Sequence, residues 1–355
     1  MSCYFTLCAL RFTFLIMNTS RISQGQSNLR QVILNFPKQF KPGLEAAEKI
    51  KIAGPFDKIV ICGMGGSALA GALLQNVVSD LKTPEIFIWR NYGLPANLSS
   101  NSLVIAISYS GNTEETLSSF REAANRKLKI IGISTGGRLE ELCQKNNFPF
   151  ISIPIRNIPP RDAIPAMFAI LMKIFANAGI IPDQTSLLLE TAKNLRPENL
   201  EKQGKLIARK IEGKIPIIYS SLKWKELAHN WKFRFNENAR LPAFFNVFPE
   251  LHHNEMATFD AIKPANSLLK NFHVIILEDE KENIRLNEGA KIFAGFVKKR
   301  KVPITTIRLV GNNDFEKIFN NLILADWASY WIAVNRGLDP TEVKIIKEFK
   351  KIMAS

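Results

Sequence analysis

Two glycine- and hydroxyl-rich stretches are built for chemistry. Gly63-Met64-Gly65-Gly66-Ser67-Ala68 follows a short apolar run and opens a helical pattern. Glycines there let a ligand approach the backbone, and the free N–H groups at a helix start attract phosphate. Gly65, Gly66 and Ser67 are therefore candidate phosphate contacts. Read as GxGxxA, the same stretch is also a dinucleotide fingerprint. That reading wants an acidic residue at the end of the second strand, where this chain has Trp89-Arg90-Asn91. Arg90 would suit a 2′-phosphate instead. A tight strand-to-helix turn with no ligand is the competing reading. The second stretch, Ser108-Tyr109-Ser110-Gly111-Asn112-Thr113, places the hydroxyls of Ser108, Ser110 and Thr113 around a flexible glycine. Such a loop can wrap a phosphate with neutral donors and a helix N-terminus. Helix capping by Thr113 explains one hydroxyl, not three. Ser134-Thr135-Gly136-Gly137 repeats the theme more weakly.

These loops need strands to hold them. Apolar runs at 58–62, 85–89, 103–107, 128–133 and 148–153 alternate with helical patterns at 67–78 and 114–125. Short apolar strands separated by helices indicate a parallel sheet buried on both faces, an α/β architecture. Residues 183–200 are polar and helical and read as a linker helix. The alternation then restarts. Strands are expected at 215–219, 272–277 and 303–309, with helices at 224–236, 282–298, 314–336 and 341–353. Both halves place a serine pair or serine loop after their first strand, an echo of two similar α/β units.

The chain has 355 residues, enough for two domains at roughly 100–200 residues each. Lys plus Arg number 47 and Asp plus Glu 32, a net charge of +15, which favours anionic partners without choosing among them. Its cysteines, at 3, 8, 62 and 143, make no CxxC pair and no pattern with the histidines. A zinc site or disulfide framework is not expected, and a cytoplasmic setting is. No run of 18 apolar residues is free of charge; the nearest, 163–180, is broken by Lys173. The first sixteen residues are apolar around Arg11, with no positive charge ahead of them as a secretory signal would have. Residues 1–34 are read as an N-terminal extension, with Met17 as an alternative start.

GMGGSALAG, SYSGNTEET and STGG resemble the first sugar isomerase (SIS) domain of the bifunctional phosphoglucose/phosphomannose isomerases of archaea and bacteria. In the second half, Phe235-Asn236-Glu237-Asn238-Ala239-Arg240 resembles the family's NEN-A-K stretch. Residues Pro249 to Glu255 resemble its PELNHNE motif, and Gly337 to Thr341 followed by Glu348-Phe349-Lys350 resembles its DPTPV…ELK tail. The similarity runs from about residue 35 to the C-terminus. The NEN, HNE and DPT elements together are specific to this family. The resemblance implies two SIS domains, each a flavodoxin-like parallel sheet flanked by helices, over 35–182 and 201–355, the second ending in a catalytic helix.

It also implies an aldose–ketose isomerase acting on glucose 6-phosphate, and on mannose 6-phosphate, to give fructose 6-phosphate through a cis-enediol. A base must move a proton between C1 and C2 of the open-chain sugar, and a partly buried carboxylate suits that task. Glu237 matches the family's base. Opening the ring needs proton transfer at O5 and O1, which an imidazole can serve; His253 matches the family histidine. His252 stands where the family usually has Asn and is expected to be a packed or surface ring. Lys350 matches the lysine that assists at the ring oxygen. The enediolate needs a cation. Arg161 of Pro160-Arg161 matches the arginine of the family's PRAAL motif, although Asp162 replaces an alanine there. Thr341 is small enough to leave room for rotation about C2–C3. The resemblance implies a homodimer in carbohydrate metabolism, with a phosphorylated hexose as its partner. No cofactor, metal, nucleic acid or membrane partner is expected. Other SIS-type phosphosugar isomerases and a non-enzymatic sugar-phosphate sensor remain alternatives. The sensor would need a DNA-reading module, for which the N-terminal 35 residues are too short. An NADP-binding oxidoreductase is the third.

Overall fold

The computed structural model describes residues 24–260 and 268–353. Cys3, Cys8 and Met17 lie outside the described residues. The first half is a five-stranded parallel sheet of β1 (Lys58–Cys62), β2 (Glu85–Trp89), β3 (Leu103–Ile107), β4 (Lys129–Ser134) and β5 (Phe150–Ser152), in the order β2-β1-β3-β4-β5. This is the flavodoxin order. The central strands are buried on both faces, so KIVIC and LVIAI read as continuous apolar runs rather than alternations. Alternate residues still serve different cores. Ile59, Ile61, Leu103 and Ile105 point to one face, and Val60, Cys62, Val104 and Ala106 to the other.

Helices α1 (Gln24–Leu34), α2 (Phe40–Ala47), α3 (Gly65–Val77), α4 (Glu114–Asn125), α5 (Gly137–Lys145) and α6 (Ile164–Asn177) cover this sheet and its flank. α1 lies inside the stretch expected to be an extension, yet it is packed. Leu29 and Ile33 are buried, and Arg30 pairs with Glu201 at 2.8 Å. The expected linker helix runs over α7 (Thr185–Asn194). A second helix, α8 (Pro197–Lys210), starts before residue 200 and carries the chain into the second sheet.

That sheet has β6 (Ile215–Ser221), β7 (Phe244–Phe248), β8 (Phe272–Glu278) and β9 (Ile304–Arg308) in the order β7-β6-β8-β9, again parallel. It repeats the first sheet's order one strand short. Helices α9 (Lys225–Ala239), α10 (Ile284–Lys299), α11 (Asp314–Asn335) and α12 (Lys344–Met353) complete the second half. α11 is buried along most of its 22 residues. Its Phe319 packs edge-on against Phe40 and Phe168 of the first half, at 4.6 and 5.2 Å between ring centres. One apolar cluster therefore runs from β1 through to α11. The two halves share a core, which holds groups from each in fixed relation.

Candidate active site

In open parallel sheets, ligands sit beyond the carboxyl ends of the strands where the strand order reverses. In the first sheet that point lies between β1 and β3. The loops leaving those strands are residues 63–64 and 108–113, the two stretches singled out for phosphate. α3 and α4 begin there, and neither has a side-chain hydrogen bond at its N-cap. Their first N–H groups are left to a ligand or to water. α5 begins after β4, and its Arg138 and Leu139 N–H groups are already taken by Asn112 Oδ1 and the Gly111 carbonyl, at 3.0 and 2.9 Å. Thr113 occupies the N-cap position of α4 in extended conformation, but its hydroxyl does not cap. It lies 2.8 Å from the Ser108 hydroxyl instead. The capping explanation of Thr113 is thus set aside by the geometry.

The six phosphate candidates gather at this edge but not in equal standing. Gly65 is exposed, has φ +51°, and has open space where a side chain would project. Ser110 is exposed and Thr113 half-buried. Ser108 is buried against Thr113. Ser67 is buried too, and its hydroxyl accepts from the Tyr109 N–H at 3.2 Å, tying the first loop to the second. Gly66 also has a packing role. A Cβ there would stand 2.7 Å from the Arg161 Cα and 3.1 Å from the Pro160 oxygen. It is the position at which the Arg161 backbone lies against the start of α3.

Arg161 is 5% exposed and lies in the 3-10 turn Pro160–Asp162, ahead of α6. Its guanidinium is held on three sides by the second half. Nε donates to Asn238 Oδ1 at 2.7 Å, Nη2 to the Pro340 carbonyl at 2.7 Å, and Nη1 to Glu237 Oε2 at 3.2 Å. Glu237 and Asn238 come from the last turn of α9. Arg240 ends that helix in the left-handed region, φ +50°. Its guanidinium donates to the Asp339 carbonyl at 3.1 Å and also reaches the carbonyls of Glu237 and Glu342. The DPT segment is drawn to the site in this way. Thr341 closes onto Asp339 through its N–H and hydroxyl, at 2.8 and 2.6 Å.

The structure therefore brings Arg161 and Glu237 together, with the Arg161 backbone against the start of α3. It does not bring His253 or Lys350 to them. His253 is exposed on the 3-10 turn Glu250–His253, and Lys350 is exposed on α12, none of whose described side chains is buried. No hydrogen bond or ion pair among the described residues joins either to Glu237 or Arg161. Glu255 anchors the turn that carries His253. Its carboxylate accepts from the Tyr219 hydroxyl and from Asn246 Nδ2, each at 2.6 Å. His252 is a packed ring, 5.0 Å from Phe248 between ring centres, and burial together with the neighbouring His253 holds its pKa below the usual imidazole range.

Sequence reasoning missed Asn238, Arg234 and Arg240. Asn230, Arg234 and Asn238 recur every four residues beside the large apolar Trp231 and Phe235, a polar stripe on the face a helix would bury. That spacing is the signal that would have marked them. Arg90, which a dinucleotide reading needed for a 2′-phosphate, is paired with Glu226 of α9 at 3.2 Å.

Comparison with known proteins identifies the family. Residues 55–176 match the SIS domain family, and residues 200–353 match the family described as bacterial phospho-glucose isomerase C-terminal SIS domain. The chain is 36% identical over 335 residues to a bifunctional phosphoglucose/phosphomannose isomerase of Caldicellulosiruptor bescii, covering 91% of this chain and 98% of that one. It is 33% identical to its counterpart in Aquifex aeolicus, covering 90% and 97%. Among solved structures, a hypothetical protein of Thermus thermophilus aligns with a TM-score of 0.70 at 14% identity, over 93% of each chain, a likeness of fold.

Proposed function

The chain belongs to the family of bifunctional phosphoglucose/phosphomannose isomerases, and we infer that it is an aldose–ketose isomerase interconverting glucose 6-phosphate and mannose 6-phosphate with fructose 6-phosphate. The observation that carries the mechanism is the contact at 3.2 Å between Arg161 of the first half and Glu237 of the second. A carboxylate fixed beside a cation is the pair an enediolate mechanism requires. Glu237 removes the proton from C2 of the open-chain aldose, and the electron pair forms the C1=C2 double bond as the C1=O1 pair moves onto O1, leaving an enediolate. Glu237 then returns its proton to C1 while the O2 proton passes to O1, giving the ketose. Arg161 balances the negative charge of the intermediate. Rotation about C2–C3, with Thr341 as the small neighbour, presents either face of C2 and so either aldose.

The hydroxyls of Ser108, Ser110 and Thr113, with Gly65, Gly66, Ser67 and the open helix starts, are assigned to the phosphate. His253 and Lys350 are assigned to ring opening. Both are exposed in the single chain, and a homodimer is the assembly we assign. α12 presents Ile345, Phe349 and Met353 in one i, i+4, i+8 stripe, all of them exposed, the kind of surface that a second copy covers. A cytoplasmic place in carbohydrate metabolism is supported by the family and by two free, buried thiols, Cys62 and Cys143.

The test is a coupled assay in which purified protein is given glucose 6-phosphate or mannose 6-phosphate and fructose 6-phosphate is measured. Formation from both is expected. Formation from neither overturns the assignment.

A further inference from the structure

Behind Arg161 lies a buried charge cluster that the reaction as described does not use. Arg234, one turn before Glu237 on α9, has no solvent exposure. Its guanidinium pairs with Asp162 and, through Nε, with Asp326 Oδ1 of α11 at 2.8 Å; Nη2 donates to the Arg161 carbonyl at 2.7 Å. Both carboxylates are 2% exposed. The chain of contacts closes on itself. The Asp326 carbonyl accepts from the Ser329 hydroxyl at 3.0 Å, and Ser329 Oγ accepts from Asn238 Nδ2 at 2.9 Å. Asn238 Oδ1 in turn accepts from Arg161 Nε at 2.7 Å. One end of the ring grips the Arg161 backbone, and the other grips its side chain.

Such a cluster is an expensive way to hold two helices together. Burying ions costs several kcal/mol each before pairing, and apolar residues of similar volume are often as stable or more so. Burial pushes the Asp326 carboxyl above its usual range, against the pull of Arg234 and with the push of Asp162. Asp162 is also the position where this chain departs from the alanine of the motif it resembles. Asp162 does not act on Arg161 as an unbalanced neighbouring charge, because Arg234 takes it up.

We propose that Asp162, Arg234 and Asp326, closed through Ser329 and Asn238, are positioning residues that fix Arg161 in its pose against Glu237. The inference rests on the isomerase reading above. A guanidinium that must meet charge developing on a substrate gains from being held before the substrate arrives. Here the backbone it projects from is clamped by Arg234 and its Nε edge by Asn238, so Nη1 is directed at Glu237.

The test uses the full-length protein and fructose 6-phosphate, with kcat and KM measured separately beside a thermal melt. Arg234→Lys keeps the buried positive charge but loses the planar fork that reaches three partners. Ser329→Ala cuts the ring at a neutral link and leaves every charge in place, so it reads the same quantity should Arg234→Lys fold poorly. Each is expected to lower kcat, roughly 10- to 100-fold for Arg234→Lys and roughly 5-fold or more for Ser329→Ala, with KM changed by less than about 3-fold. A purely structural cluster would lower the melting temperature and leave kcat alone. A wild-type protein without hexose 6-phosphate isomerase activity overturns the function, and the inference with it. An active wild type whose folded Ser329→Ala or Arg234→Lys variant keeps the wild-type kcat overturns the inference alone.

Discussion

Gly66→Ala is the sharpest single perturbation of the proposed site. The added Cβ would lie 2.7 Å from the Arg161 Cα and 3.2 Å from its backbone nitrogen. Carbon atoms in contact settle at about 3.5–4.0 Å, so the two backbones must part by about 1 Å. Neither side is a flexible side chain that can swing away. Overpacking of this kind costs about 1–3 kcal/mol, which a domain with about 5–15 kcal/mol of stability survives folded. The displaced element is the one carrying Arg161. A misplacement of about 1 Å costs on the order of 100-fold in rate, or about 2.7 kcal/mol at the transition state. Gly295→Ala is the matched control. It lies in α10 with nothing within 4 Å of its Cβ position, and is expected to be neutral or stabilising by about 0.5–1 kcal/mol. The assay follows fructose 6-phosphate conversion coupled to oxidation of the glucose 6-phosphate formed, with a thermal melt on the same samples. A folded Gly66→Ala variant with wild-type kcat/KM would refute the claim that the close seating of Arg161 against α3 matters to catalysis.

Three other outcomes are expected. Ser108→Ala with Thr113→Ala removes two donors to a dianion, each worth about 1.5–3 kcal/mol, and should raise KM for fructose 6-phosphate on the order of 100-fold; unchanged binding would place the phosphate elsewhere. With an open-chain phosphate analogue that cannot cyclise, exchange of the C1/C2 proton with deuterated solvent should survive His253→Ala and fall about 100-fold or more in Glu237→Gln, and the reverse order would overturn both roles. Burial drives the pKa of His273 down to about 4 from 6.5, so the unfolded chain binds the extra proton between those values and stability falls as pH drops through that window. The loss is about 3 kcal/mol by pH 4, and a His273→Gln variant with the same slope in melts from pH 7 to 4 would show that the imidazole is not the cause.

The strand framework is legible because its central strands are short, apolar and bounded by glycine or serine turns. Lys58–Cys62, Glu85–Trp89, Leu103–Ile107 and the helix Glu114–Asn125 fall where the sequence places them. β7 is not legible in the same way. Phe244-Phe245-Asn246-Val247-Phe248 sits at the sheet edge with its first two residues exposed, so it shows neither a buried run nor a clean alternation, and prolines at 242 and 249 bracket it like a loop. α1 reads as part of an extension because helical pattern alone does not say what lies beneath it. The partners that bury it, Glu201 of α8 and Trp327 of α11, lie far along the chain.

The same limit separates what is readable at the two crevices. The serine pair that ends β6 echoes the serine loop of the first half. In the fold the two crevices differ. At the first, a buried cation, Arg161, is aimed across at Glu237. At the second, Ser221 donates to Glu282, and Lys317 is consumed by Asp279, with its Nζ 2.8 and 2.9 Å from the two carboxylate oxygens. Lys317 and the Trp224 N–H hold the Asp279 pKa low despite its burial, so that carboxylate stays charged near neutral pH. The cavity left among these groups is only about 10 Å³. A phosphate entering it would meet the carboxylates of Asp279 and Glu282. The repeated topology thus carries different side-chain arrangements at its two crevices. The second half contributes Glu237 and the clamps on Arg161 to the first half's crevice, and the shared core around α11 holds the two in register.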